Sequence, residues 1–369
     1  MVSAQAILLS TFCSLATATA VFKNPLPNWL DETRESVNST HIPMAERVSR
    51  LASSGRASPT TKFRVPAEYE PVSAVVVGYA GYTSMLQKIG QATTNQGGAE
   101  FWAVGGPSQI SGVPSSKYRQ IDLPLDSVWM RDYGPVGIRE DTRAVSVIDT
   151  VYRHYRQRVN DDKLPSSLAS QQGLSTFKMP LILDGGNFMV DSYNNLYMTK
   201  RTYSWNADKS VAQVDALLKE YFSIKNIYTF DYAGFPGNPA DGTGHIDMFI
   251  KLLNDHTVLI STSDTQPQKG VAEQAVAFFT GRTAADGVPF KVITVKGWVK
   301  NGVWYTYSNS LIVNNVVIMP SYRGSTNEAT AIAAYKSGMS GVQVVTVPSD
   351  ESIVAGGSIH CITQNIPVA

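Results

Sequence analysis

Short apolar runs rich in β-branched residues recur from residue 63 onward, and two of them are split at their centres by paired turn residues. Met248 to Ile260 carries Asn254-Asp255, and Leu311 to Met319 carries Asn314-Asn315. Asparagine and aspartate tolerate positive φ and favour tight turns, so both segments read as hairpins. Further buried strands are expected at Ser73 to Gly78, Val145 to Ile148, Leu181 to Leu183, His245 to Leu253, Thr257 to Ile260, Phe290 to Val295 and Val342 to Val347. Amphipathic helices fall between them. Lys209 to Phe222 places Val211, Val214, Leu217, Leu218 and Phe222 on one face, and Val271 to Phe279 behaves similarly. Ser325-Thr326-Asn327-Glu328 reads as a capping box opening a further helix. Strand pairs alternating with single helices imply an α/β fold built from ββαβ modules. A doubly wound sheet would place a helix between most successive strands, and these hairpins argue against it.

The N-terminal part differs. Ala4 to Ala20 is a short apolar run ending in Ala18-Thr19-Ala20, a small-x-small cleavage pattern. Residues 1–20 are therefore expected to be a signal peptide, and the mature chain to be secreted. No basic residue precedes the run, so an apolar N-terminal helix stays open as the alternative. Residues 21–60 are rich in proline, serine and polar residues and read as an extended arm or pro-segment, with one short helix near Met44 to Ala52. Asn38-Ser39-Thr40 is a glycosylation sequon if the chain is exported. Residues 61–369 are expected to form the main folded domain. Lysine and arginine number 31 against 30 aspartate and glutamate, which argues against nucleic acid as a partner. No other segment has the ~20 apolar residues that a membrane helix requires.

The chemistry concentrates where apolar strands end in glycine-rich polar turns. Cys361 lies in such a turn beside His360, and the only other cysteine, Cys13, is in the leader. A lone thiol in this context reads as a nucleophile, with a buried inert cysteine as the alternative. Trp129 to Pro135 contains Arg131 and Asp132; Asp184-Gly185-Gly186-Asn187, Gly244 to Asp247 and Tyr307 to Ser310 add carboxylates, a histidine and Asn309. On a strand, the spacing of His245 and Asp247 would point both to one face. Asp132 and Asp247 offer two negative charges to a cationic substrate, while a thiol and a histidine suit attack on a planar electron-poor carbon. A guanidinium meets both descriptions. The alternatives are a local Arg131–Asp132 ion pair, a purely structural Asp-Gly-Gly-Asn turn, and a metal held by His245, Asp247 and Asp184.

Taken together, Trp129-x-Arg131-Asp132-x-Gly134-Pro135, Asp184-Gly185-Gly186-Asn187, Gly244-His245-x-Asp247 and Gly356-Gly357-x-Ile359-His360-Cys361-x-Thr363 resemble the agmatine deiminase and bacterial-type peptidylarginine deiminase family. The resemblance implies a five-bladed α/β propeller of ββαβ modules with pseudo-fivefold symmetry and a central active site. It implies Cys361 as nucleophile, His245 as general acid and base, and Asp132 and Asp247 as guanidinium clamps. It also implies Asn309 as a polar site residue, Trp129 along the substrate's aliphatic stem and Asp184 among the substrate-binding residues. A covalent thiouronium intermediate follows, with ammonia released and no cofactor or metal needed. Arg156 and Arg158, in Tyr152 to Asp162, resemble the carboxylate-binding segment of the peptidylarginine branch. That implies peptide or protein substrates ending in arginine. A solvated basic loop is the alternative, and Arg131 to Pro135 reads closer to the agmatine branch, so agmatine or free arginine stays open as substrate.

Overall fold

The computed structural model describes residues 58–152, 158–233 and 243–369. The leader, the sequon, the helix expected near Met44 and Arg156 lie outside the described residues.

Five sheets repeat one plan: an antiparallel pair, then a helix, then a third strand parallel to the second. Val136–Glu140 pairs with Val145–Val151, and the helix Val159–Gln171 leads to Ser175–Ile182. Met189–Val190 pairs with Asn195–Thr199, and Val211–Phe222 leads to Asn226–Phe230. Ile250–Asn254 pairs with Thr257–Thr262, and Gln268–Phe279 leads to Lys291–Lys296. Leu311–Val313 pairs with Val316–Ser321, and Glu328–Gly338 leads to Gln343–Pro348. The fifth module joins the two ends of the described chain. Thr363–Pro367 pairs antiparallel with Val72–Gly78, and Thr83–Gln91 leads to Glu100–Val104. A separate hairpin, Trp298–Lys300 with Val303–Tyr305, is inserted between the third and fourth modules.

The pattern of side chains explains the elements. In Val72–Gly78, the run Val75-Val76-Val77 is fully buried, as for a strand covered on both faces. The helix Val211–Phe222 buries Val214, Leu218 and Phe222, and Ser210 with Gln213 closes a reciprocal capping box at its start. Val211 departs from the expected apolar face and is 54% exposed, because it occupies the first turn, beyond reach of the sheet. The capping box expected at Ser325 to Glu328 does not form. Ser321 Oγ donates to Glu328 Oε2 at 2.7 Å, which takes the carboxylate away from the helix start, and Asn327 becomes the cap position. The hairpin turns differ from one another: Asn314 has φ 52°, whereas Asn254 turns the chain by accepting the His256 N–H at 2.9 Å.

Candidate active site

Each module's first strand is preceded by a polar turn, and those turns carry the site. Asp132 sits in the short helix Met130–Tyr133 ahead of Val136, and Asp184 to Asn187 precede Met189. His245 and Asp247 precede Ile250, Asn309 precedes Leu311, and Cys361 precedes Thr363. Repetition of one local plan thus delivers a separate functional group from each of five modules. His245 and Asp247 are not on a strand as expected but on the 3-10 turn Ile246–Met248. Side chains satisfy its backbone donors in place of a ladder: Thr243 Oγ1 accepts from His245 N at 3.2 Å, and Asn187 Oδ1 accepts from Ile246 N at 3.2 Å.

All of these groups are buried. Asp132, His245, Asp247, Asn309 and Cys361 are each at most 2% exposed, and Trp129 is fully covered. Asn309 Nδ2 donates to Cys361 Sγ at 3.2 Å, and its Oδ1 accepts from Ser358 N at 3.0 Å, fixing the turn that holds the thiol. Cys361 Sγ lies 3.7 Å from Asp247 Oδ2. Burial, then the charges of Asp247 and Asp132, push the Cys361 thiol well above its ordinary pKa. His245 stands between two acids, with Nδ1 3.5 Å from Asp132 Oδ1 and Nε2 3.2 Å from Asp184 Oδ2. Burial opposes charging the ring, but Asp132 and Asp184 outweigh it and push His245 up to about 9. Asp247 Oδ1 is buried without a hydrogen-bond partner. Burial disfavours the Asp247 carboxylate, yet His360 and then His245 bring it below the usual range.

Two glycines make the cluster possible. A Cβ on Gly186 would lie 2.6 Å from His245 Nδ1, 3.0 Å from Asp132 Oδ1 and 3.1 Å from Asp247 Oδ2. The Asp-Gly-Gly-Asn turn therefore passes through the centre of the charged cluster, which only a bare backbone permits. A Cβ on Gly357 would lie 2.5 Å from Cys361 Sγ and 3.0 Å from Trp129.

Asp184 meets His245 rather than standing apart from it. Arg158 is fully buried, and its Nη1 donates to Tyr152 Oη at 2.9 Å. Burial raises the Tyr152 phenol; Arg158 works against that shift, while Asp132 and Asp184 add to it. Arg158 therefore belongs to the electrostatic surroundings of the site rather than to a solvated loop. Among the described residues, no group of three or more His, Cys, Asp or Glu side chains is arranged to hold a metal ion. Among the described residues, no helix is long and apolar enough to cross a membrane.

His360, already noted beside Cys361, has two partners, direct and indirect, that no motif marked. His360 Nδ1 lies 2.6 Å from Asp247 Oδ2, its Nε2 lies 2.7 Å from Glu68 Oε2, and Lys251 Nζ donates to Glu68 at 2.9 Å. Glu68 sits in an ordinary Pro66-Ala67-Glu68-Tyr69 stretch far from every motif. Lys251 lies within an otherwise apolar strand, where a buried lysine was the available clue.

Comparison with known proteins agrees with this architecture. A Vibrio parahaemolyticus protein named "Putative agmatine deiminase" is 27% identical over 290 residues, covering 68% of this chain and 79% of its own. A Marinomonas protein of the same name is 24% identical over 356 residues, covering 83% and 94%. The structure of agmatine deiminase of Enterococcus faecalis superposes with a TM-score of 0.74 at 21% identity, covering 85% of this chain and all of that one. A Porphyromonas gingivalis structure described as a "Putative Arginine Deiminase" gives 0.73 at 18% identity, covering 83% and 98%. The α/β fold is shared with these deiminases. The family model for Porphyromonas-type peptidyl-arginine deiminases matches residues 64–367, and the chain belongs to that family of hydrolases acting on amidine C–N bonds.

Proposed function

We propose that this chain is a cysteine-dependent deiminase that converts a terminal guanidinium to a urea group and ammonium. The carrying observation is the buried cluster of Cys361, His245, Asp132 and Asp247, in which Asp247 Oδ1 has no hydrogen-bond partner. A guanidinium bound there supplies the missing N–H donor and a positive charge. That charge offsets the two carboxylates that hold the thiol in its neutral form, so substrate binding itself favours the thiolate. The five modules are proposed to ring the site, since each delivers one polar turn to it.

The thiolate adds to the guanidinium carbon, forming the S–C bond. His245, protonated below about pH 9, donates a proton to the departing nitrogen as the C–N bond breaks. Ammonia leaves, and a thiouronium remains on Cys361. The now neutral His245 takes a proton from water, whose oxygen bonds to the carbon. Cleavage of the C–S bond then frees the urea product. The balance is guanidinium plus water giving urea plus ammonium. Asn309 Nδ2 stabilises the sulfur whenever it carries negative charge.

For the far end of the substrate, agmatine is the first reading, supported by the names of the relatives at 24–27% identity. A second reading, arginine with a free carboxylate at the end of a peptide, is favoured by Arg158, a buried guanidinium beside the site. The leader adds the proposal that the chain is exported, where peptides are the accessible substrates. Ureido-product assays with agmatine, free arginine and a peptide ending in arginine separate the two. Turnover of none of them, or full turnover by Cys361→Ser, would falsify the reading.

A further inference from the structure

A second row of ionisable groups leads from Cys361 through Asp247 to His360 and Glu68. The two oxygens of Asp247 have different surroundings. Oδ1 has no partner, whereas Oδ2 is 3.7 Å from Cys361 Sγ and 2.6 Å from His360 Nδ1. The other ring nitrogen of His360 is 2.7 Å from Glu68 Oε2. Glu68 Oε1 accepts from Lys251 Nζ at 2.9 Å and from the Ile312 N–H at 2.8 Å. The backbone oxygen of His360 accepts from Arg131 Nε at 3.3 Å. The Glu68 side chain is 17% exposed, whereas those of Asp247 and Lys251 are at most 1%. Glu68, His360, Lys251 and Arg131 line one cavity, and Cys361, His245 and Asp132 do not.

This row answers a question that the proposed reaction raises. The thiol must shed its proton before it can attack. His245 is already protonated below about pH 9 and cannot accept it, and Asp132 is engaged by His245. The remaining carboxylate oxygen beside the sulfur is Asp247 Oδ2, which is buried and lies 2.6 Å from His360 Nδ1. An imidazole can take a proton at one nitrogen while giving one from the other. We propose that Asp247, His360 and Glu68 form a proton relay that carries the Cys361 thiol proton to the rear cavity. The proposal rests on the deiminase reading. As the S–H bond breaks, a proton passes to Asp247, His360 Nδ1 gains it, Nε2 releases one to Glu68, and Glu68 passes it to water. Lys251 and Arg131 keep Glu68 ionised, so it accepts a proton without retaining it. Glu68 and His360 are positioning and proton-carrying residues, since neither touches the reacting carbon.

The test uses the full chain, Glu68→Gln and His360→Gln, with whichever guanidinium substrate the wild type turns over. Glu68→Gln keeps an oxygen acceptor for Lys251 and Ile312 but cannot carry a proton. The relay predicts that kcat falls about 10- to 100-fold, at or below the general acid–base range, with KM within about twofold. It further predicts that small carboxylate or imidazole buffers restore part of the rate in the variants and not in the wild type. Unchanged kcat, or a loss that does not respond to buffer, overturns the relay. A wild-type measurement is independent of variant folding: alkylation of Cys361 by chloroacetamidine forms the S–C bond, breaks C–Cl and frees the thiol proton. An indicator dye should record one proton in solution as fast as the adduct appears, and a proton held back by the protein overturns the relay. The deiminase reading fails separately, if the wild type gives neither adduct nor ureido product.

Discussion

Two buried histidines each lie between two acids. His245 stands between Asp132 and Asp184, every member of the trio at most 2% exposed. His360 stands between Asp247 and Glu68 at shorter distances, with Glu68 facing a cavity and tied to Lys251. The contrast teaches that a His between acids is not a role in itself. An enclosed trio raises the imidazole's pKa and, in the proposed reaction, stores a proton for the leaving group. A trio with one end wet and clamped by lysine is instead suited to moving protons in and out.

Removing the centre that both histidines serve should have the largest effect. Cys361→Ser is expected to lower kcat by about 10⁴-fold or more, the scale seen when a covalent nucleophile is lost; mass spectrometry of the wild type during turnover should show the covalent adduct and the variant none. Next comes His245→Gln, with a loss of about 10²–10⁴-fold. In the wild type, kcat/KM should fall as pH rises through about 9, where His245 gives up its proton in the free enzyme; a flat profile from pH 7 to 10 contradicts the acid role. Asp184→Asn should pull that falling limb down by about one pH unit, roughly the weight of one close charge, while the rear trio is untouched. The smallest catalytic effect is expected from Lys251→Met. It should destabilise the fold by about 3 kcal/mol by leaving Glu68 without its cation, read as a lowered midpoint in urea. Lys251 and His360 hold the Glu68 pKa below its unfolded value despite burial, so its contribution is present above the ordinary carboxylate range. It is lost as pH falls through the depressed folded value, and acid unfolding should start at a higher pH in Lys251→Met.

The front trio was legible in the sequence, as were Asp247 and His360 of the rear one, but Glu68 was not, for a physical reason. His245, Asp132 and Asp184 lie in glycine-rich turns whose composition is unusual wherever it occurs. Gly186 shows why: the turn must let backbone approach three charged side chains. Glu68 requires no special backbone, so nothing local marks it. The hairpin-plus-helix plan was also readable, because Leu311 to Val313 and Val316 to Met319 are apolar runs about an Asn-Asn turn. The strand expected to carry His245 and Asp247 was not found there, because side-chain acceptors from neighbouring segments capture its backbone donors. Asn195–Thr199 and Thr363–Pro367 escaped notice because their strand character comes from pairing partners rather than from composition.

The strand that follows Cys361 also has a consequence for how activity arises in time. Thr363 pairs with Val77, and Asn365 with Val75, so the Cys361 turn is anchored by residues from the opposite end of the described chain. Contacts this distant in sequence form late, because closing so large a loop is costly until the intervening modules are packed. A nascent or partly folded molecule would hold His245 and its carboxylates in place with neither Cys361 nor His360 among them. Chemistry on guanidinium groups would then switch on only when the domain closes, and measured activity would count the fully folded molecules alone.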